Sequence, residues 1–198
     1  DPDPETATVD GRVSRAGDES WATIIAGAGV SAFPSAAEDS FVRFLATATT
    51  NQWSSLERSI FLFDTSSLGA SDISAAVLSL RGTAKTDGLA ATPNIDIYTS
   101  TPASNTNLVA GDYGQIGAVS QTGSPITYAN FSDAGYNDFT FNATGRGNIS
   151  KTGISKFGAR NANYDVAASA PPWTASLNSY LYGNFADVAS TTSDPKFV

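Results

Sequence analysis

The stretch Arg58–Arg81, RSIFLFDTSSLGASDISAAVLSLR, constrains the fold of this chain more than any other. Ile60 and Leu62 alternate with Phe61 and Phe63, so both faces of the run are apolar. A half-exposed strand carries polar groups on one face, so this run is expected to be covered on both sides. The oxygens of Asp64-Thr65-Ser66-Ser67 offer local partners to the backbone, and Gly69 tolerates φ > 0, so the chain turns there. Ala75–Leu80 then returns as a second apolar strand, with small residues at its start where another layer can approach closely. The pattern specifies a β-sandwich.

The remaining segments fit the same class. Thr6–Val13 reads as the first strand, Gly17-Asp18-Glu19 as a turn, and Trp21–Ile25 as a short strand ending at the glycines of Ala26-Gly27-Ala28-Gly29. That cluster lacks the Lys-Ser/Thr of a phosphate-binding loop. Ser40–Ala46 alternates as a strand, and Thr47–Ser55 is a polar connection carrying Trp53. Gly82–Pro93 and Thr99–Asp112 read as long polar loops around a strand at Ile95–Tyr98. Further strands are expected near Ala118–Ser120, Asp138–Asn142, Ile154–Ala159 and Leu181–Ala186, with a closing strand begun in Asp194–Val198. Thr144–Lys151 has room for one helical turn, since its two glycines oppose a long helix. Residues 1–5, Asp-Pro-Asp-Pro-Glu, read as an extended linker-like leader, and 6–198 as one domain.

Composition narrows the function. Charged residues make up only 15%, so the polar surface falls to Ser, Thr, Asn and Gly, as in secreted, surface or virion-associated β proteins. The net charge of −8 disfavours nucleic acid and anionic membranes, which attract Lys and Arg. No apolar run approaches the roughly 20 residues of a membrane-spanning helix. The absence of Met, with Asp1 first, leads us to expect a processed product or a segment of a longer chain.

No His and no Cys occurs, which removes Ser-His-Asp triads, Cys nucleophiles and imidazole- or thiolate-rich zinc sites. Carboxylate chemistry of the glycosidase kind remains. Glu38 and Asp39 are adjacent, however, and point to opposite faces of a strand, while Glu57 and Asp64 flank an apolar strand and are expected to cap it or pair with Arg58. The chain is therefore expected not to be an enzyme. Arg43, Arg58 and Arg81 sit on or beside strands, where a carboxylate such as Asp64 is the expected partner and a carboxylated sugar the alternative. Asp1, Asp3 and Glu5 are candidate ligands for a structural calcium ion, although they lack the spacing and turn glycine of a calcium loop. No other cofactor is expected. Trp53, Trp173, Tyr180 and Tyr182 are candidates for stacking on a sugar ring, or alternatively for packing under loops. Asn130, Asn142 and Asn148 each open an Asn-x-Ser/Thr glycosylation pattern.

The order of Arg58, an apolar strand ending in Phe63-Asp64, a short turn, and Ile73-Ser74-Ala75-Ala76-Val77-Leu78 resembles the DNRLRE-type domains of secreted bacterial, archaeal and phage proteins. Tyr136-Asn137-Asp138-Phe139-Thr140 is similar to that family's aromatic strand before a short helical segment, and Asp194-Pro195-Lys196-Phe197-Val198 to its closing strand. The resemblance implies an antiparallel jelly-roll β-sandwich, here with long loops and at most one short helix. It implies a place in large cell-surface, fibre or polysaccharide-processing proteins, where some relatives are carbohydrate-binding modules. The expected role is a non-catalytic structural unit of an extracellular fibre, appendage, virion or cell surface. Such a unit would self-associate or join neighbouring modules through its termini, by strand addition at a sheet edge. The alternative is a carbohydrate-binding module of a secreted polysaccharide-active or adhesive protein, with a glycan as partner.

Overall fold

The computed structural model describes residues 7–198. It is all-β, a curled antiparallel sheet with few short helices. The chain enters through β1 (Asp10–Glu19), a short helix α1 (Trp21–Ala26), the three-residue strand β2 (Ser31–Phe33), β3 (Glu38–Ala46) and β4 (Trp53–Asp64). β5 (Val77–Asp87), β6 (Ile95–Ser100), β7 (Ile116–Ser120) and β8 (Tyr136–Thr140) follow, then the one-turn helix α2 (Ala143–Gly147). β9 (Ile154–Asn161), β10 (Asn178–Asn184) and β11 (Lys196–Phe197) complete the sheet.

The two-faced apolar strand is the branch point. β1 lines one edge of β4 from Asp10↔Phe61 to Glu19↔Trp53. The other edge is shared: β3 pairs with residues 53–57 and β9 with residues 59–64. From there β3 leads to β10 and β5, while β9 leads to β6 and β7. Two cores result. Phe61 and Phe63 join one with Phe41, Leu78, Phe139 and Phe157, and Leu56, Ile60 and Leu62 join the other with Trp21, Phe44 and Trp53. All four residues Ile60–Phe63 are buried, as the sequence requires.

Several elements differ from the sequence reading. Trp21–Ile25 is helical, so the described residues carry two short α-helices where at most one was expected. Ser20 caps α1, its Oγ accepting from the Thr23 N–H at 3.3 Å, and Trp21 and Ile24 are buried one turn apart. That i, i+3 spacing and the Ser cap were in the sequence; the apolar run shorter than two turns obscured them. Gly17-Asp18-Glu19 lies within β1, at the shift of register between Ala16 and Glu19. β5 runs through Gly82 to Asp87, shortening the first long loop. The Asp87 carboxylate closes that loop by accepting from the Ala91 and Thr92 N–H groups at 2.7 and 2.9 Å. Among the described residues, no helix is long and apolar enough to cross a membrane.

Candidate functional site

β10 alternates Ser179, Leu181 and Gly183 inward with Tyr180 and Tyr182 half-buried on the opposite face. The two tyrosine rings lean together, their centroids 4.4 Å apart and their planes at 45°. In the neighbouring strand, Arg43 lies opposite Tyr180 and Ser40 opposite Tyr182, because β3 carries one extra residue at that point. Glu57 of β4 lies opposite Arg43.

These residues form a ladder of charge across the sheet. Glu57 is almost fully buried, and its Oε1 accepts from Arg12 Nη1 at 3.0 Å and Arg43 Nη1 at 3.3 Å. Its Oε2 accepts a short hydrogen bond from the Ser40 hydroxyl. Arg12 Nε donates to Asp39 Oδ2 at 2.7 Å, and the Arg12 guanidinium lies 4.0 Å from the centre of the Phe33 ring. Burial raises the Tyr182 hydroxyl above its ordinary pKa. Arg43 and Arg12 oppose that rise, while Glu57 and Asp39 add to it. Arg43 Nε is buried and has no hydrogen-bond partner. Both oxygens of Glu57 are engaged by cations and a hydroxyl, which leaves the half-buried rings of Tyr180 and Tyr182 on this face with Arg43 beside them.

The other sequence candidates separate sharply. Trp53 is a core residue, 2% exposed at the first position of β4, with its ring 5.2 Å from that of Trp21. Its indole face is covered by protein, which puts Trp53 with the packing alternative rather than with sugar stacking. Trp173 is half-buried on the second core and donates its indole N–H to the Gln52 carbonyl at 3.2 Å. Tyr180 and Tyr182 alone among the aromatic candidates sit side by side on one face. Asp1, Asp3 and Glu5 lie outside the described residues. Among those described, no group of three or more carboxylates is placed to hold a metal ion.

The arginines find partners other than those expected. Arg58 pairs with Asp165, 107 residues away, through Nε at 2.8 Å and Nη2 at 2.6 Å. Arg160 grips the same carboxylate at 2.9 and 2.7 Å. Burial alone would raise the Asp165 carboxyl, but the hydrogen bonds from Arg160 and the charge of Arg58 hold it below its ordinary value. The remaining Arg58 donors reach the carbonyls of Tyr113 and Ile25, and its guanidinium lies 3.9 Å from the centre of the Tyr113 ring. Asp64 instead accepts from the Ser66 N–H at 2.9 Å and closes its own turn. Glu57 pairs with Arg12 and Arg43 rather than with Arg58. Asp165 carried no sequence signal, since it sits in the single helical turn Ala162–Val166 after β9, too short for a periodic pattern to show.

No protein-family model matches this chain, and no curated protein matches it.

Proposed function

We propose that this chain is a non-catalytic structural unit of an extracellular fibre, appendage, virion or cell-surface protein, joined to its neighbours by strand pairing near its C-terminal end. The observation that carries the reading is β11. Lys196 and Phe197 pair with Ser79 and Leu78 of β5, and Val77 and Val198 exchange backbone hydrogen bonds at 2.7 and 3.0 Å. The Phe197 ring packs against Phe63, Phe141 and Phe157 at 5.3, 5.2 and 5.5 Å. Among the described residues β11 pairs with β5 alone, and its other edge is where a strand from a neighbouring unit would add. Strand addition there supplies main-chain hydrogen bonds without a specialised pocket. The fold expected from the DNRLRE-type resemblance, a jelly roll, suits such a role.

The test is the state of association of the purified chain, by light scattering and electron microscopy. Ordered multimers or filaments are expected, and deletion of 196–198 abolishes them. A clean monomer at all concentrations sinks the claim that the chain assembles by itself.

A second reading, a carbohydrate-binding module, draws support from the Tyr180–Tyr182 pair beside Arg43. A glycan array probed with the chain and with Tyr180→Ala and Tyr182→Ala checks it. A bound glycan should lose at least about 1 kcal/mol of affinity, roughly five-fold or more, on loss of either ring. Binding unchanged in both variants removes this face from consideration.

A further inference from the structure

The three Asn-x-Ser/Thr patterns sit in unlike surroundings. Asn142 is half-buried and caps α2: its Oδ1 accepts from the Gly145 N–H at 2.8 Å. Its Nδ2 donates to the carbonyls of Thr122 at 2.6 Å and Ser120 at 3.3 Å. The Asn148 Nδ2 donates at 2.7 Å to Gln121 Oε1, on a residue only 1% exposed. A sugar on either nitrogen replaces one of its hydrogens, and at Asn142 it would enter the space now filled by two backbone carbonyls. Buried acceptors left without donors are costly.

Asn130 is different. It is exposed at the end of a tight turn, where its backbone N–H donates to the Thr127 carbonyl at 3.0 Å. Phe131, 1% exposed, anchors the turn in the first core, and the Asn130 side chain makes no hydrogen bond to the described residues. Beside it opens a polar cleft of about 370 Å³, lined by Asn130, Ser132, Tyr136, Asp138 and Thr140. Asp138 is exposed there and accepts from the Ser79 hydroxyl at 2.6 Å, leaving lone pairs for another donor.

We propose that Asn130 is an N-glycosylation site of this protein, and that the first sugar, an N-acetylhexosamine, lies in the adjoining cleft with its hydroxyls toward Asp138 and Ser132. In the transfer the Asn130 amide nitrogen bonds to the anomeric carbon of a polyprenyl-diphosphate-linked oligosaccharide. The bond from that carbon to the diphosphate oxygen breaks, polyprenyl diphosphate leaves, and one amide proton passes to a base of the transferase. The acceptor segment must be extended to enter a transferase, so the sugar is added before the turn closes. The fold then selects which modified chains persist: a sugar at Asn130 is compatible with the finished structure, and one at Asn142 is not.

The chain is produced as a secreted protein in a glycosylating eukaryotic host, and the folded fraction is mapped by mass spectrometry of its peptides. Glycan is expected on Asn130 and none on Asn142, and Asn130→Gln removes the corresponding mass. Unmodified Asn130 in the secreted protein, or modified Asn142 in the folded fraction, overturns the assignment. Trimming the glycan to its first sugar and comparing melting temperature with Asn130→Gln tests the cleft. A higher value for the single-sugar form supports it, and equal values remove the cleft from the proposal.

Discussion

Asp165 shows how a single residue can hold distant parts of the chain together. Its side chain has no exposure, and both oxygens receive two guanidinium hydrogen bonds. Replacing it by Asn keeps the shape but leaves Arg58 and Arg160 buried without a counter-charge. Asp165→Asn is expected to cost about 3–5 kcal/mol, read as a lower midpoint in denaturant unfolding. The pH dependence follows from the direction of the shift. The folded carboxyl is held below its ordinary value of 3.8, so its contribution is present above that value and is lost as pH falls through the lower, folded one. The wild-type chain should therefore lose more stability than Asp165→Asn as pH drops below the ordinary carboxylate range. Equal acid slopes in the two proteins would remove Asp165 as the cause. A need for a carboxylate beside Arg58 was legible in the sequence, since a cation flanking an apolar strand requires a partner. Which carboxylate it is was not. Glu57 and Asp64 lay nearest along the chain, but Glu57 pairs with Arg12 and Arg43, and Asp64 is exposed and turned toward Ser66, whose hydroxyl and N–H lower its pKa.

At the scale of the element, close approach between β5 and β10 depends on glycine. Gly183 faces Gly82 across the pair, and a Cβ at Gly183 would collide with the Arg81 carbonyl and with the ring of Phe41. Phe41 is fully buried between Phe61 and Phe185, so it has nowhere to move. Gly183→Ala is expected to destabilise by about 1–3 kcal/mol, a drop in melting temperature that thermal unfolding measures. Unchanged melting would mean that the two strands can part at this point without loss. The same packing explains why the expected boundary of β5 fell short. Gly82 reads locally as a turn residue, yet here it lets the backbone pass beneath Ser132 and Phe131. α1 is the opposite case: Ser20 and the Trp21/Ile24 spacing marked a helix, but a run of six residues is too short for periodicity to separate helix from strand.

For the whole molecule, the 19 acidic against 11 basic residues set the conditions for association. Copies carrying a net −8 repel one another at low ionic strength, and the Debye length shrinks from about 30 Å at 0.01 M salt to about 8 Å at 0.15 M. If units join by main-chain pairing along β11, assembly should increase over that range, as light scattering against salt would show. Multimers that dissociate as salt rises would instead indicate ion pairs at the contact. Deleting 196–198 also uncovers Phe63, Phe141 and Phe157, so the truncated chain should be less stable as well as less associated. Measuring its melting temperature alongside its size separates loss of the joint from loss of the fold.

The sequence by itself determined the all-β class and the central position of Arg58–Phe63, because strand alternation is local and an apolar residue on each face needs a core on each side. It also determined the absence of imidazole and thiol chemistry, which is a matter of composition alone. Only the tertiary structure decided that Trp53 belongs to the core, that Arg58 meets Asp165, and that Tyr180 and Tyr182 share a face with Arg43 and Glu57. Those outcomes depend on strands brought together from far along the chain, and on a one-residue shift of register between β3 and β10. The order of residues along one strand carries no record of which strand will lie beside it.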